Sequence, residues 1–152
     1  MAKTLSNPEN RAEIIHRIGL LSPESQRQWG TMTVDAMICH LYDAYQVAIG
    51  EKIAQPVKMP LPQRVMKAFA LRSPGQWPHG LPTPDEVKQG IGGTPACEFA
   101  ADRRRLLAAL DRFFVCETLA SIAHPYFGTM REEDWMRWGY LHADHHLRQF
   151  SV

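Results

Sequence analysis

The stretch Tyr140–Phe150, YLHADHHLRQF, places three of the seven histidines of this 152-residue chain within five positions. His142 and His146 are four residues apart, so on a helix they lie about 40° apart around the axis and about 6 Å apart along it. Two imidazoles at this spacing can share one metal ion with bonds of roughly 2.0–2.1 Å. His145 lies three residues after His142, so it is either an alternative second ligand or a residue beside the site.

The histidine stretch ends a predicted helix that begins after Thr129 and continues to about Phe150. Thr129 and Glu132 have the spacing of a capping box, in which each side chain accepts a hydrogen bond from the other residue's free amide. The sequence therefore predicts a well-defined start for this helix and places the histidines in its last turns.

The side of this helix that carries His142 is expected to face the protein interior. Trp135, Trp138 and Gly139 all fall within about 60° of that histidine around the axis. Trp138 is a candidate for covering a bound cofactor or substrate, and Gly139 leaves room for a neighbouring helix or a ligand. Arg131 lies on the same stripe, about three turns away, where it would meet an acidic group of a bound molecule.

Helical spacing of apolar residues predicts three more helices, over residues 8–21, between Thr33 and Gly50, and over residues 99–115. Asn7 and Thr33 are suitable N-caps, and Gly50 is suited to the position after a helix C-terminus. We therefore expect four long helices in all.

The second predicted helix carries the third candidate ligand, His40, on its inward stripe. Three imidazoles with one position left open are typical of catalytic zinc sites. Asp43, one turn later, would orient a ligand imidazole or take a proton from a bound nucleophile; an ordinary surface carboxylate is the alternative. A histidine on an apolar face is also common as a packing residue. The apolar members of this stripe are Met37, Leu41, Ala44, Tyr45 and Ala48.

Residues 51–99 differ from the rest of the chain, because they contain eight of its eleven prolines. The pieces WPHGLPTP (77–84) and GIGGTP (90–95) are non-helical, whereas residues 65–71 are compatible with one short helix. A connection of this length is usually functional or wraps another element. We therefore predict an all-α, single-domain four-helix bundle over residues 1–152, with a long proline-rich crossover between helices 2 and 3.

Composition excludes several classes of function. The net charge of +1 gives no broad electrostatic footprint for nucleic acid, and no stretch approaches the roughly 18–20 apolar residues of a membrane helix. The three cysteines are far apart and form no CxxC pair, which favours a reducing cytoplasm over a disulfide framework. The expected partner is a small molecule, with no nucleic acid and no membrane.

Several motifs resemble the DinB/YfiT-like superfamily of metal-dependent four-helix-bundle proteins. The first is a histidine in the middle of the second helix, ICHLYDA around His40. The second is a terminal H-x-x-x-H followed by glutamine, which matches His142, His146 and Gln149. Further similar pieces extend the resemblance over nearly the whole chain: RQWGTM (27–32), WPHGLPT (77–83), GGTPACEF (92–99) and HPYFG (124–128).

This resemblance implies up-down-down-up connectivity and a divalent metal, commonly zinc or nickel, held by His40, His142 and His146. His145 would then be a catalytic or pocket residue beside the ligands. Relatives include thiol-dependent S-transferases that use a low-molecular-weight thiol, so such a thiol is a second implied cofactor. The resemblance also implies a cytoplasmic homodimer.

Two functions follow from these expectations. In the first, a three-histidine metal site activates a thiol or water for transfer to, or hydrolysis of, a small substrate. In the second, the protein is a non-catalytic binding or stress-response module that a metal stabilises, since the sequence contains no obvious acid–base pair.

Overall fold

The structure is a computed structural model that describes residues 2–152, and this part of the chain is mostly helical. It contains five α-helices, two short 3-10 helices (Asp85–Val87 and Leu119–Ser121) and a two-stranded antiparallel sheet. The helices are α1 (Pro8–Leu20), α2 (Val34–Ala48), α3 (Gln63–Arg72), α4 (Phe99–Phe114) and α5 (Glu132–Gln149); the strands are β1 (Ala123–His124) and β2 (Gly128–Thr129).

The predicted caps of the first two helices are confirmed. The Asn7 side chain accepts a hydrogen bond from the amide of Glu9 at 2.7 Å. The Thr33 hydroxyl accepts one from the amide of Ala36 at 3.3 Å. Gly50 follows α2 with a φ of 77°, a conformation that glycine adopts without strain. Local sequence signals therefore define where these helices start and stop.

The predicted capping box of the last helix is wrong, because it places the N-cap at Thr129, two residues before the observed N-cap, Arg131. Thr129 belongs to β2, and α5 begins only at Glu132. The Asp134 carboxylate accepts a hydrogen bond from the amide of Arg131 at 3.1 Å, so the helix is capped from its third residue. Thr129 is unavailable because its backbone is paired in the sheet.

The sheet is a small hairpin that the sequence did not predict. It forms within and beside HPYFG, where Ala123 pairs with Thr129 and His124 pairs with Gly128. Gly128 has a φ of 64°, and a Cβ there would lie 2.5 Å from the Gln63 side chain of α3. The hairpin matters to the site because it fixes the position of His124.

The core lies where α2 packs against α4 and α5, with α1 packed on α5. Tyr45 of α2 is fully buried and its hydroxyl donates to the Gly139 carbonyl of α5 at 2.8 Å. A Cβ at Gly139 would lie 2.8 Å from Leu5 and 3.0 Å from Phe113. The prediction that Gly139 lets a neighbouring helix approach closely is therefore confirmed, since Phe113 of α4 lies where a side chain would be.

The crossover, residues 49–98, contains α3. Residues near both of its ends bind the buried carboxylate of Asp43 on α2. Asp43 accepts hydrogen bonds from the backbone amide and the hydroxyl of Thr94, both at 2.6 Å. Lys52 forms an ion pair with the same carboxylate at 2.9 Å. Asp43 is only 1% exposed, so this cluster ties both ends of the crossover to the middle of α2.

No helix among residues 2–152 is both long enough and apolar enough to span a bilayer.

We predict that Asp43→Ala lowers the free energy of unfolding by about 3 kcal/mol, because it leaves the partners of a buried carboxylate unpaired. Urea denaturation measures the change. Asp111→Ala is the matched control, since Asp111 is exposed on α4 and should change stability by less than about 0.5 kcal/mol. Equal stabilities for the two variants would contradict the anchoring role of Asp43.

Candidate metal centre

His40 of α2 meets His142 and His146 of α5 at the interface of the two helices. One ring nitrogen of each histidine lies within 4.8 Å of the others, a grouping that can hold a metal ion. The Nε2 atoms of His40 and His142 are 3.2 Å apart. The structure therefore brings together the three residues that the sequence singled out as ligands.

The tautomer of His40 follows from its hydrogen bond to the backbone. Its Nδ1 lies 2.9 Å from the carbonyl oxygen of Val87, in the 3-10 helix of the crossover. A carbonyl can only accept, so Nδ1 carries the proton and Nε2 presents a lone pair. The crossover thus orients the imidazole for coordination.

A side-chain amide orients His146 in the same way. The Nδ1 of His146 is 3.1 Å from Oε1 of Gln149, while Nε2 of Gln149 donates to the carbonyl of Trp29 at 2.9 Å. The second bond fixes the amide with its oxygen toward the imidazole, so His146 also has Nδ1 protonated and a free Nε2. Hydrogen-bond partners of this kind raise ligand basicity in metal sites.

The distance between His40 and His142 fits a pair of ligands on one ion. Two nitrogens bound to one tetrahedral ion at 2.0–2.1 Å lie roughly 3.3 Å apart. The observed separation of their Nε2 atoms is 3.2 Å, and in the metal-free protein Nε2 of His142 donates a hydrogen bond to Nε2 of His40 over this distance. His142 differs from the other two in that its Nδ1 is buried without a hydrogen-bond partner in the described chain. The donor set therefore fits a divalent cation, and three imidazoles suit zinc, nickel, copper and iron alike.

Burial keeps all three imidazoles neutral, which is the form that binds metal. It lowers the pKa of His40 below its usual value. Burial is also the main reason that the pKa values of His142 and His146 lie well below 6.5, and the neighbouring imidazoles add to the effect. Metal binding at neutral pH would therefore release no proton from these rings.

The three histidines line a cavity of about 350 Å³. All four tryptophans of the chain line it as well, namely Trp29, Trp77, Trp135 and Trp138. The centroid of the Trp138 ring lies 5.0 Å from that of His142, so Trp138 lies beside the candidate ligands, as predicted. Trp77 comes from the crossover and is held by a hydrogen bond from its indole to the Ala70 carbonyl at 2.8 Å.

His145 also lines the cavity and lies next to the ligands, with its ring 5.1 Å from that of His146. Burial lowers the pKa of His145 to about 4, and its Nδ1 is buried without a partner. It is therefore a neutral imidazole on the cavity wall, in the position expected of a residue beside the site.

Two expected site residues need correction. Asp43 is neither an exposed carboxylate nor a partner of a ligand imidazole, because both its oxygens bind crossover groups and His40 binds Val87 instead. Arg131 does not line the cavity; its exposed side chain forms ion pairs with Glu133 and Asp134. Residue 131 precedes the first turn of α5, so the helical stripe used to place it does not extend that far.

The chain matches the family model described as "Protein of unknown function (DUF1569)" over residues 7–152. It belongs to the DUF1569 family. No curated protein and no solved structure matches it. The family description assigns no chemistry, so the function of this DUF1569 protein has to be argued from its site.

His124 is a residue of the cavity in this DUF1569 protein that helical spacing could not indicate, because it lies outside the predicted helices. It is buried in β1, lines the cavity and stacks on Phe127 with ring centroids 4.3 Å apart. Its Nδ1 accepts a hydrogen bond from the amide of Tyr126 at 3.1 Å. The HPYFG motif marked the segment, but only the tertiary fold places this ring near the ligands.

His79 is the second histidine whose position depends on the crossover. It lies in the WPHG loop, stacks on Trp29 with centroids 4.1 Å apart, and approaches His145 to 6.0 Å. The loop therefore folds toward the histidine cluster and brings His79 close to the site.

We predict that His124 makes the protein sensitive to acid. Burial lowers its pKa to about 3, against about 6.5 in the unfolded chain. Between these values only the unfolded state binds the proton, so stability rises with pH and is lost as the pH falls below 6.5. From pH 7 to pH 5 this one group should lower the free energy of unfolding by about 2 kcal/mol.

Urea denaturation at both pH values in EDTA tests this expectation on wild type and His124→Phe. The variant should lose about 2 kcal/mol less than wild type over the interval. His16→Ala, at an exposed position on α1, should behave as wild type. If His124→Phe has the wild-type pH dependence, the buried neutral state of His124 is wrong.

Proposed function

We propose that this protein is a metal-dependent enzyme. His40, His142 and His146 would hold a divalent metal ion beside the aromatic cavity, for transfer of a thiol to a small bound substrate or for hydrolysis of that substrate. The observation that carries the proposal is the convergence of three neutral imidazoles on the wall of a cavity, two of them with a protonated Nδ1 that leaves the lone pair on Nε2.

A divalent ion with three imidazole ligands supplies an open coordination position and lowers the pKa of a water or thiol bound there. The residues around the ion would exclude water and contact the nucleophile. Trp135 and Trp138 would keep bulk water from the bound substrate, because both are buried and line the cavity. His145 lies on the cavity wall beside His146 and would accept a hydrogen bond from the bound nucleophile. Its pKa of about 4 makes it too weak a base to hold the proton at neutral pH.

The finer fold assignment, a DinB-like bundle of up-down-down-up connectivity, belongs to the same proposal. It is supported by the pairing of α1 with α5 and of α2 with α4 and α5. A connection as long as residues 49–98 allows α2 and α4 to run in the same direction, as this topology requires. The homodimer, the cytoplasmic location and the choice of zinc or nickel stay predictions of the resemblance.

Metal content tests the proposal directly. Untagged wild-type protein, reconstituted at neutral pH and freed of unbound ions, should contain about one zinc or nickel ion per chain. His40→Ala and His146→Ala should each lose it, because a site reduced to two imidazoles binds far more weakly. Elemental analysis together with protein concentration gives the ratio.

His16→Ala is the matched control, since it removes an exposed histidine from α1 and should leave the metal content unchanged. Wild-type protein without metal after reconstitution would contradict the proposal. So would a metal that survives both ligand substitutions, because it would then be bound elsewhere.

Gln149 should control metal affinity without touching the ion. Gln149→Met removes the acceptor for Nδ1 of His146 and should weaken metal binding about 10- to 100-fold. Gln149→Glu keeps an acceptor for Nδ1 but loses the donor to the Trp29 carbonyl, so it should bind metal more tightly than the methionine variant and less tightly than wild type. Competition with a chromophoric chelator measures both affinities, and wild-type affinity in the methionine variant would show that this orientation is unimportant.

One observation favours the second candidate, a non-catalytic module stabilised by metal. Among the described residues, no aspartate or glutamate lines the cavity, and the nearby Asp43 is bound to Lys52 and Thr94. The site therefore lacks a carboxylate base. A metal-loaded protein whose melting temperature falls on chelation, yet which turns over no ester, thiol or electrophile of a test panel, would support this candidate over the enzyme.

A further inference from the structure

The wall of the cavity carries no formal charge. Within residues 2–152 its lining contains no aspartate, glutamate, lysine or arginine. Its surface is instead built from aromatic rings, methionines and prolines together with the neutral histidines. A bound molecule would therefore meet side chains that favour apolar surface and provide hydrogen bonds without a counter-ion.

Two cations on the helices that line the cavity are already paired within the protein. Lys67 of α3 donates to the Thr129 carbonyl at 3.0 Å and lies 3.4 Å from the Asp134 carboxylate. Arg137 of α5 donates to the backbone carbonyls of Leu71 and Lys3. In the metal-free protein neither of these two cations is therefore free to offset the loss of hydration of an anionic ligand in the cavity.

His124 gives this apolar wall a fixed hydrogen-bond donor. Its Nδ1 accepts from the amide of Tyr126, so the proton of the neutral ring is on Nε2. Nε2 has no protein partner among residues 2–152, and the ring lines the cavity. Trp138 lies between the two histidine groups, with its ring 5.3 Å from that of His124 and 5.0 Å from that of His142.

Burial explains why this donor stays neutral. It lowers the pKa of His124 to about 3, so at pH 7 the ring donates a hydrogen bond without offering a positive charge to an anion. A carbonyl oxygen is the acceptor that suits a neutral N–H in an apolar site.

We propose that the cavity binds an uncharged, largely apolar molecule of about one or two rings, whose carbonyl oxygen accepts a hydrogen bond from Nε2 of His124. The volume of about 350 Å³ is at the small end of the range for ligand pockets. The proposal rests on the proposed function in making this molecule the substrate, whereas binding itself needs no metal.

Three small probes separate charge from hydrogen bonding. Acetophenone is neutral and has a carbonyl, benzoate is of similar size but anionic, and ethylbenzene lacks an acceptor. Binding to wild-type protein in EDTA is followed by calorimetry and by intrinsic fluorescence. The fluorescence readout is specific, because all four tryptophans of the chain line the cavity.

Acetophenone should bind at least about tenfold more tightly than benzoate, because an anion gains no counter-ion here. It should bind about fivefold more tightly than ethylbenzene, the amount expected from one hydrogen bond. Benzoate binding as well as acetophenone, or no binding of either neutral probe, would overturn the proposal.

Two substitutions test whether the probes bind in the cavity beside His124. His124→Phe should abolish the advantage of acetophenone over ethylbenzene while it keeps the aromatic wall. Met66→Lys places a cation on α3 at the cavity and should improve benzoate binding at least about fivefold. Its control is Val65→Lys, at the adjacent exposed position outside the lining, which should leave the order of probe affinities unchanged. An unaltered preference in both cavity variants would place the probes elsewhere and overturn the proposal.

Repeating the titrations after metal loading separates this proposal from the proposed function. A neutral preference in a protein that binds no metal supports the ligand class and overturns the metal enzyme. Stoichiometric metal with a benzoate preference in EDTA supports the metal centre and overturns the ligand class.

Discussion

The buried carboxylate of Asp43 ties the long crossover to the helix that carries His40. An isolated carboxylate in this position would be strongly unfavourable, so it requires the Lys52 ammonium and the Thr94 donors around it. Those partners come from the two ends of the crossover. Because this interaction closes the segment onto α2, it also holds the Val87 carbonyl against His40 and the aromatic part of the crossover over the cavity.

The histidine cluster depends on that closure. Three imidazoles at a helix interface would be poor packing residues, since their nitrogens need partners when buried. The backbone carbonyl of Val87 and the amide of Gln149 satisfy the outer nitrogens of His40 and His146. Their inner nitrogens point toward one another and toward His142. A hydrogen bond between the rings of His40 and His142 joins two of these nitrogens in the metal-free protein, and this convergence of imidazoles is the observation on which the proposed metal site is based.

The charged side chains lie outside the cavity, where they form ion pairs that link the helices and the crossover. Ion pairs such as Arg17 with Asp144 and Arg112 with Glu51 link elements at the surface, and Asp43 with Lys52 anchors the crossover. The cavity has aromatic and aliphatic walls, whose low polarity keeps its histidines neutral. In the metal-free protein such walls disfavour an anion, because burying an uncompensated charge costs free energy.

The sequence by itself determined the four long helices, the N-caps of the first two and the histidines that face one another. These features follow from the 3.6-residue period and from caps, which are interactions within a few residues. Only the tertiary structure decided that Asp43 binds the crossover, that Arg131 points to solvent and that His124 reaches the cavity. Each of these depends on where residues 49–98 and the hairpin fold. Contacts between residues far apart in the chain leave no periodic signal in either segment.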